Sequence, residues 1–172
     1  MTVICYGDSN TYGYDPRGWF GGRYDTPWPE ILADLTGWEV RNCGSCGRTI
    51  PKSAVEFPKD TDLIAVMLGT NDLLQGATAS EATGRMEAFL STIPREKVLL
   101  LAPPPMVRGE WVPNEDLVTE SRQLIEEYRT LAQRLGVRFP GGVPIPMAYD
   151  GVHFTEEGHN IFAEHVRKEL CP

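Results

Sequence analysis

Short apolar runs alternate along the chain with stretches in which apolar residues recur every three or four positions. The runs Thr2–Tyr6, Trp38–Arg41, Asp62–Leu68, Lys97–Ala102 and Val137–Phe139 are β-prone and predict five strands. Between them the spacing of Trp28, Ile31, Leu32 and Leu35, then of Ala82, Met86, Phe89 and Leu90, then of Leu117, Leu124, Ile125, Tyr128 and Leu131 predicts helices. A last amphipathic segment carries Ile161, Phe162, His165, Val166 and Leu170; it opens at Thr155, a good N-cap ahead of Glu156 and Glu157. Regular alternation of this kind predicts an α/β fold with a five-stranded parallel sheet between helices, a three-layer α/β/α sandwich, in one domain over residues 1–172.

Two stretches break the pattern. Residues Thr11–Pro27 are rich in Gly, Pro and aromatics, and Pro103–Asn114 begins with three prolines. Both read as long loops that follow the C-terminal ends of strands, where open α/β sheets bind ligands. Trp19 and Phe20 on the first, and Met106 and Trp111 on the second, are candidate walls of a substrate pocket, with packing of loop aromatics onto the core as the competing reading.

A formal charge of −8 argues against nucleic acid and anionic membrane surfaces as partners. No apolar run approaches the ~18 residues that span a bilayer, and the first residues lead straight from a strand into Gly7-Asp8-Ser9 without the marks of an export signal. With four cysteines (Cys5, Cys43, Cys46 and Cys171), the expectation is free thiols in a reducing cytoplasm.

Chemistry concentrates where strands end. Ser9 in Gly7-Asp8-Ser9-Asn10 would present its hydroxyl at the rim of the sheet, a nucleophile's position; a Ser/Asn turn is the bland alternative. A serine needs a base, and of the three histidines His159 and His165 fall inside the last predicted helix, leaving His153. In Asp150-Gly151-Val152-His153 a turn through Gly151 can bring the Asp150 carboxylate to one ring nitrogen and leave the other for substrate. Alternatively Asp150 caps a turn beside a packed His153, or Asp150, His153 and His159 bind a metal. Acyl transfer also needs donors for the developing oxyanion: Asn71 in Gly69-Thr70-Asn71-Asp72 offers a side-chain N–H, and Gly47, after the second strand, a backbone N–H.

These four blocks, in order and spacing, resemble those of the SGNH (GDSL-like) hydrolases over almost the whole chain. The resemblance implies a flavodoxin-like sandwich, a Ser9, Asp150 and His153 triad, and an oxyanion hole from the Ser9 N–H, Gly47 and Asn71. It implies neither cofactor nor metal. The implied activity is a serine esterase or acylhydrolase acting on small esters with short acyl groups, of the aryl or acetylated-carbohydrate type. Cys46 stands where serine is frequent, and Asn10 where many relatives carry leucine.

Three rivals stay open on the residues alone. Cys43-Gly44-Ser45-Cys46 has the C-x-x-C spacing of thiol–disulfide exchange, which would leave Ser9, Asn71 and His153 unexplained; a disulfide there would instead put a redox brake on the Gly47 loop. A G-x-S-x-G elbow is approximated around Ser45 but lacks its first glycine. A non-catalytic binding module on the same fold would have little need of the three triad residues together.

Overall fold

The computed structural model describes residues 1–18 and 21–171. Its strands are β1 (Thr2–Gly7), β2 (Tyr14–Asp15), β3 (Gly22–Arg23), β4 (Glu39–Gly44), β5 (Leu63–Met67) and β6 (Val98–Leu100). The helices are α1 (Ser9–Tyr12), α2 (Trp28–Thr36), α3 (Thr70–Leu74), α4 (Ala79–Leu90), α5 (Glu115–Leu135) and α6 (Glu156–Leu170). β4, β1, β5 and β6 form, in that order, a parallel sheet, and β2 pairs antiparallel with β3 in a separate hairpin.

Alternation along the strands sets the two faces. Ile64 and Val66 of β5, with Val98 and Leu100 of β6, face a core completed by Met86 and Phe89 of α4 and Leu124, Tyr128 and Leu131 of α5. Leu63, Ala65 and Met67, with Val3 and Cys5 of β1, face the opposite core, filled by Trp28 and Leu32 of α2 and Phe162 and Val166 of α6. A strand buried on both sides cannot alternate with polar residues, which explains why β5 reads as an unbroken apolar run. Each such aliphatic side chain contributes about 1.5–3 kcal/mol on leaving water.

The α/β/α architecture is as expected, but the sheet has four strands, not five. Val137–Phe139 supplies only one bridge, Leu99 to Arg138, through a hydrogen bond from the Leu100 N–H to the Arg138 carbonyl at 2.9 Å. The reason lies in the neighbours: the Val137 N–H is taken by the Ala132 carbonyl at the end of α5, and Pro140 beyond has no N–H to give.

The helix starts follow their side chains. Thr155 caps α6 by accepting from the Gly158 N–H at 3.0 Å, and Asn114 caps α5. Thr78 and Glu81 form a reciprocal capping box on α4. The stretch Thr11–Pro27 is less loop-like than its composition implies, since it holds the end of α1 and the β2–β3 hairpin. Residues 103–114 contain only the Gly109–Val112 bridge, yet they are stitched to the segment before α6: the Trp111 N–H donates to the Asp150 carbonyl at 2.9 Å and the Val107 N–H to that of Gly151 at 3.1 Å.

At the end of β4 the sheet is in close contact with α1. A Cβ on Gly44 would collide with the backbone N and Cα of Tyr12. Gly44→Ala is therefore expected to lower unfolding free energy by about 1–3 kcal/mol, the usual cost of overpacking. Urea unfolding followed by circular dichroism measures this; an unchanged midpoint would contradict the packing.

Candidate active site

Three loops leave the sheet side by side. Gly7 is in register with Gly44 on one side and Met67 on the other, so the segments after β1, β4 and β5 start level. Ser9 opens α1, whose first turn is fixed by the Asp8 carboxylate accepting the Asn10 N–H at 2.9 Å. Gly47 follows β4, and Asn71 lies in the first turn of α3.

The segment ahead of α6 closes over these loops. Gly151 has a φ of +82°, a left-handed turn that side-chain-bearing residues rarely adopt, and it folds Asp150 back toward His153. One Asp150 oxygen accepts the backbone N–H groups of Val152 and His153, each at 2.9 Å. The other lies 2.6 Å from His153 Nδ1. Burial alone would raise the Asp150 carboxyl, but the bonds from the His153 ring and these two N–H groups outweigh it and hold the group below its ordinary range. With Nδ1–H given to Asp150, His153 Nε2 is left as an acceptor, and it lies 3.0 Å from Ser9 Oγ. A connected chain thus runs from carboxylate through imidazole to hydroxyl, built from residues 1%, 2% and 7% exposed.

Ser9, Gly47, Asn71 and His153 line one cavity of about 230 Å³. Asn71 Nδ2 donates one hydrogen to the Arg48 carbonyl at 3.0 Å, which orients the amide and leaves its second hydrogen available. Arg48 is itself pinned: its guanidinium donates to the carbonyls of Gly7, at 2.9 Å, and of Cys43, and lies over the Tyr6 ring. The first N–H groups of a helix have no intrahelical acceptor, so the Ser9 N–H at the start of α1 is a further donor. A hydroxyl within hydrogen-bond reach of an imidazole nitrogen, with further N–H-bearing residues lining the same cavity, is equipped for attack on a carbonyl carbon.

The pocket walls differ from expectation. Trp111 does reach the cavity, edge-on to the His153 ring with centroids 5.2 Å apart. Met106 does not: it is 2% exposed and belongs to the core under α5, because its backbone N–H donates to the buried Ser121 hydroxyl at 2.9 Å and draws the residue inward. Trp19 and Phe20 lie outside the described residues. Tyr14, Leu74 and Val152 complete the wall without having been singled out in the sequence. Tyr14, at the start of the hairpin, packs its ring 4.6 Å from that of His153; its place on an aromatic stretch just after Ser9 was the available signal.

The rival readings separate as well. His159 is fully buried on the α2 side, where its Nδ1 accepts the Trp28 N–H at 3.3 Å and burial pushes it down to about 3, so it does not join Asp150 and His153. Among the described residues no group of three His, Cys, Asp or Glu side chains is placed to hold a metal. Cys43 and Cys46 are free thiols, and Cys46, in the cavity wall, has its pKa raised by burial and then by Asp8, which disfavours the thiolate that redox exchange requires. Ser45 is absent from the cavity wall.

Residues 5–161 match the GDSL-like Lipase/Acylhydrolase family. The chain belongs to that family. It is accordingly a carboxylic ester hydrolase with the SGNH hydrolase fold. No curated protein matches the sequence. Among solved structures, the aryl esterase of M. smegmatis is 26% identical, with 98% of this chain and 99% of that chain covered and a TM-score of 0.76. A carbohydrate acetylesterase family member from Sinorhizobium meliloti is likewise 26% identical, over 98% of this chain and 96% of that one, with a TM-score of 0.82. A lipase/acylhydrolase from Enterococcus faecalis, 19% identical with a TM-score of 0.79, shares the fold. Among the described residues of this GDSL-like hydrolase, no helix is long and apolar enough to cross a membrane.

Beneath the site lies an uncompensated acid. Asp8 is 1% exposed, its second carboxylate oxygen has no hydrogen-bond partner, and burial pushes its pKa up to about 6. Unfolded, it ionises near 3.8, so its favourable contribution to stability is complete below that value and is lost as pH rises through about 6. Asp8→Asn keeps the acceptor for Asn10 and cannot ionise. Its stability relative to the wild type should therefore grow between about pH 5 and about pH 8. Urea midpoints of both proteins at the two pH values test this, the difference cancelling the opposite slope from His159; a pH-independent difference would refute it.

Proposed function

We propose that this hydrolase is a serine esterase of small esters in which Ser9 is the nucleophile, His153 the general base and Asp150 the residue that orients it. The observation that carries the reading is the continuous hydrogen-bond chain Asp150–His153–Ser9 ending in the cavity shared with Gly47 and Asn71. His153 Nε2 takes the Ser9 proton as Oγ attacks the ester carbonyl; the Ser9 and Gly47 N–H groups and the Asn71 amide receive the oxyanion. Collapse of the tetrahedral species expels the alcohol, which takes the proton from His153. Water, activated by the same imidazole, then releases the acid from the acyl-enzyme. Asp150 keeps Nδ1 protonated and stabilises the imidazolium that forms in both halves.

The substrate class follows from the walls. A cavity of about 230 Å³ has room for a short acyl group rather than a long chain. Tyr14 and Trp111 at its edge offer aromatic surface to a planar aryl ring or the apolar face of a sugar. This agrees with the aryl esterase and the carbohydrate acetylesterase among its structural neighbours. Short-chain esters of aromatic alcohols or acetylated carbohydrates are therefore the proposed substrates.

With p-nitrophenyl acetate, Ser9→Ala should reduce kcat by at least about 1,000-fold and Asn71→Ala by about 100- to 1,000-fold. EDTA should leave the wild type unaffected. Retention of wild-type turnover by Ser9→Ala would remove the nucleophile, and with it the mechanism.

A further inference from the structure

Asn10 follows Ser9 directly but is not part of the cavity wall, and it is 3% exposed. Its side chain makes two long-range hydrogen bonds. Nδ2 donates to the Val152 carbonyl at 3.0 Å, and Oδ1 accepts the Phe154 N–H, also at 3.0 Å. The two groups it holds flank His153. The pattern is that of a residue in a parallel strand, which bonds to both chain neighbours of the residue opposite. One side-chain amide thus substitutes for a strand at a place where no strand runs.

Resting on the reading of Ser9 and His153 given above, we propose that Asn10 is a positioning residue that sets the distance between the His153 ring and the Ser9 hydroxyl. Ser9 and His153 are 144 positions apart and sit on separate elements, so something must tie one to the other. Asp150 cannot. It lies three residues from His153 in the same turn, and their bond travels with the turn wherever it goes. Tyr14 and Trp111 pack against the imidazole, but rings in van der Waals contact slide easily compared with paired hydrogen bonds. Asn10 is covalently joined to Ser9 and grips the backbone on both sides of His153, so the base is located relative to the nucleophile itself. The amide carries no net charge, and therefore holds the backbone on both sides of the ring without placing an ion beside it. Leucine at this position would make neither bond and would leave the Val152 carbonyl and Phe154 N–H without these partners in a buried segment.

The test uses Asn10→Leu and Asn10→Asp in the full chain, with p-nitrophenyl acetate as substrate. The second variant is isosteric; its carboxylate still accepts from Phe154 but turns an oxygen without a hydrogen toward the Val152 carbonyl. Both should lose kcat by about 10- to 100-fold while KM stays within about threefold, since an error of ~1 Å in alignment damages the step and not binding. In a His153→Ala background the same substitutions should cost less than about twofold, because the residue acts through the imidazole. An unchanged kcat in Asn10→Asp, or an equal loss with and without His153, would overturn the proposal. Circular dichroism that found both variants unfolded would assign Asn10 to folding and overturn it too. The esterase reading fails separately: it falls if Ser9→Ala stays active, whereas inactive Ser9→Ala beside fully active Asn10 variants removes only this inference.

Discussion

The site depends on the register with which β1 pairs to both of its neighbours. Gly7 stands level with Gly44 and with Met67, so a single row of parallel ladder bonds decides that the segments carrying Ser9, Gly47 and Asn71 leave the sheet at the same height. Parallel pairing places the C-terminal ends of all strands at one edge, and buried apolar side chains on both faces keep the strands from slipping. A slip of β5 by one residue would exchange Leu63, Ala65 and Met67 with Ile64 and Val66 between the two cores, and in the same move would part Asn71 from Ser9. Folding and site assembly are in this sense one event.

What could be read from the chain divides along the distance over which the physics acts. Ser9, Gly47, Asn71, Asp150 and His153 all lie in short turn-forming segments after strands or before a helix, and local composition marks such turns well. The Asp150–His153 pair is closed within four residues, so its spacing alone implies contact. The other functional features come from pairs far apart in sequence. Asn10 to Val152, Asn71 to Arg48 and Tyr14 to His153 each require the fold before they exist, and no periodicity announces them. Met106 misled for the same reason: a methionine in a proline-rich loop looks available until Ser121 of α5 captures its backbone. The missing fifth strand shows the converse, since Val137–Phe139 has β-prone residues whose hydrogen-bonding groups are committed elsewhere.

Polar groups in the interior follow two different rules. Asp150 is buried and spends both oxygens on hydrogen bonds, so it remains an anion that can hold a neighbouring imidazole. Asp8, equally buried, spends one oxygen on the turn of α1 and leaves the other without a partner, and its proton is correspondingly harder to remove. The two carboxylates thus differ in acidity because the bonds from the His153 ring and two backbone N–H groups outweigh burial at Asp150, whereas at Asp8 burial prevails.

The hairpin β2–β3 and the stretch of residues 103–114 lie outside the parallel sheet, and from them come Tyr14 and Trp111, the aromatic margins of the cavity. The floor, by contrast, is made of strand ends. Over evolutionary time these two parts can change at different tempos. Substitution or lengthening of the excursions reshapes what fits without disturbing the strand register, while the floor is held by the constraint that maintains the whole fold. A lineage built this way can explore new esters by trial at its margins and keep one set of reacting groups throughout.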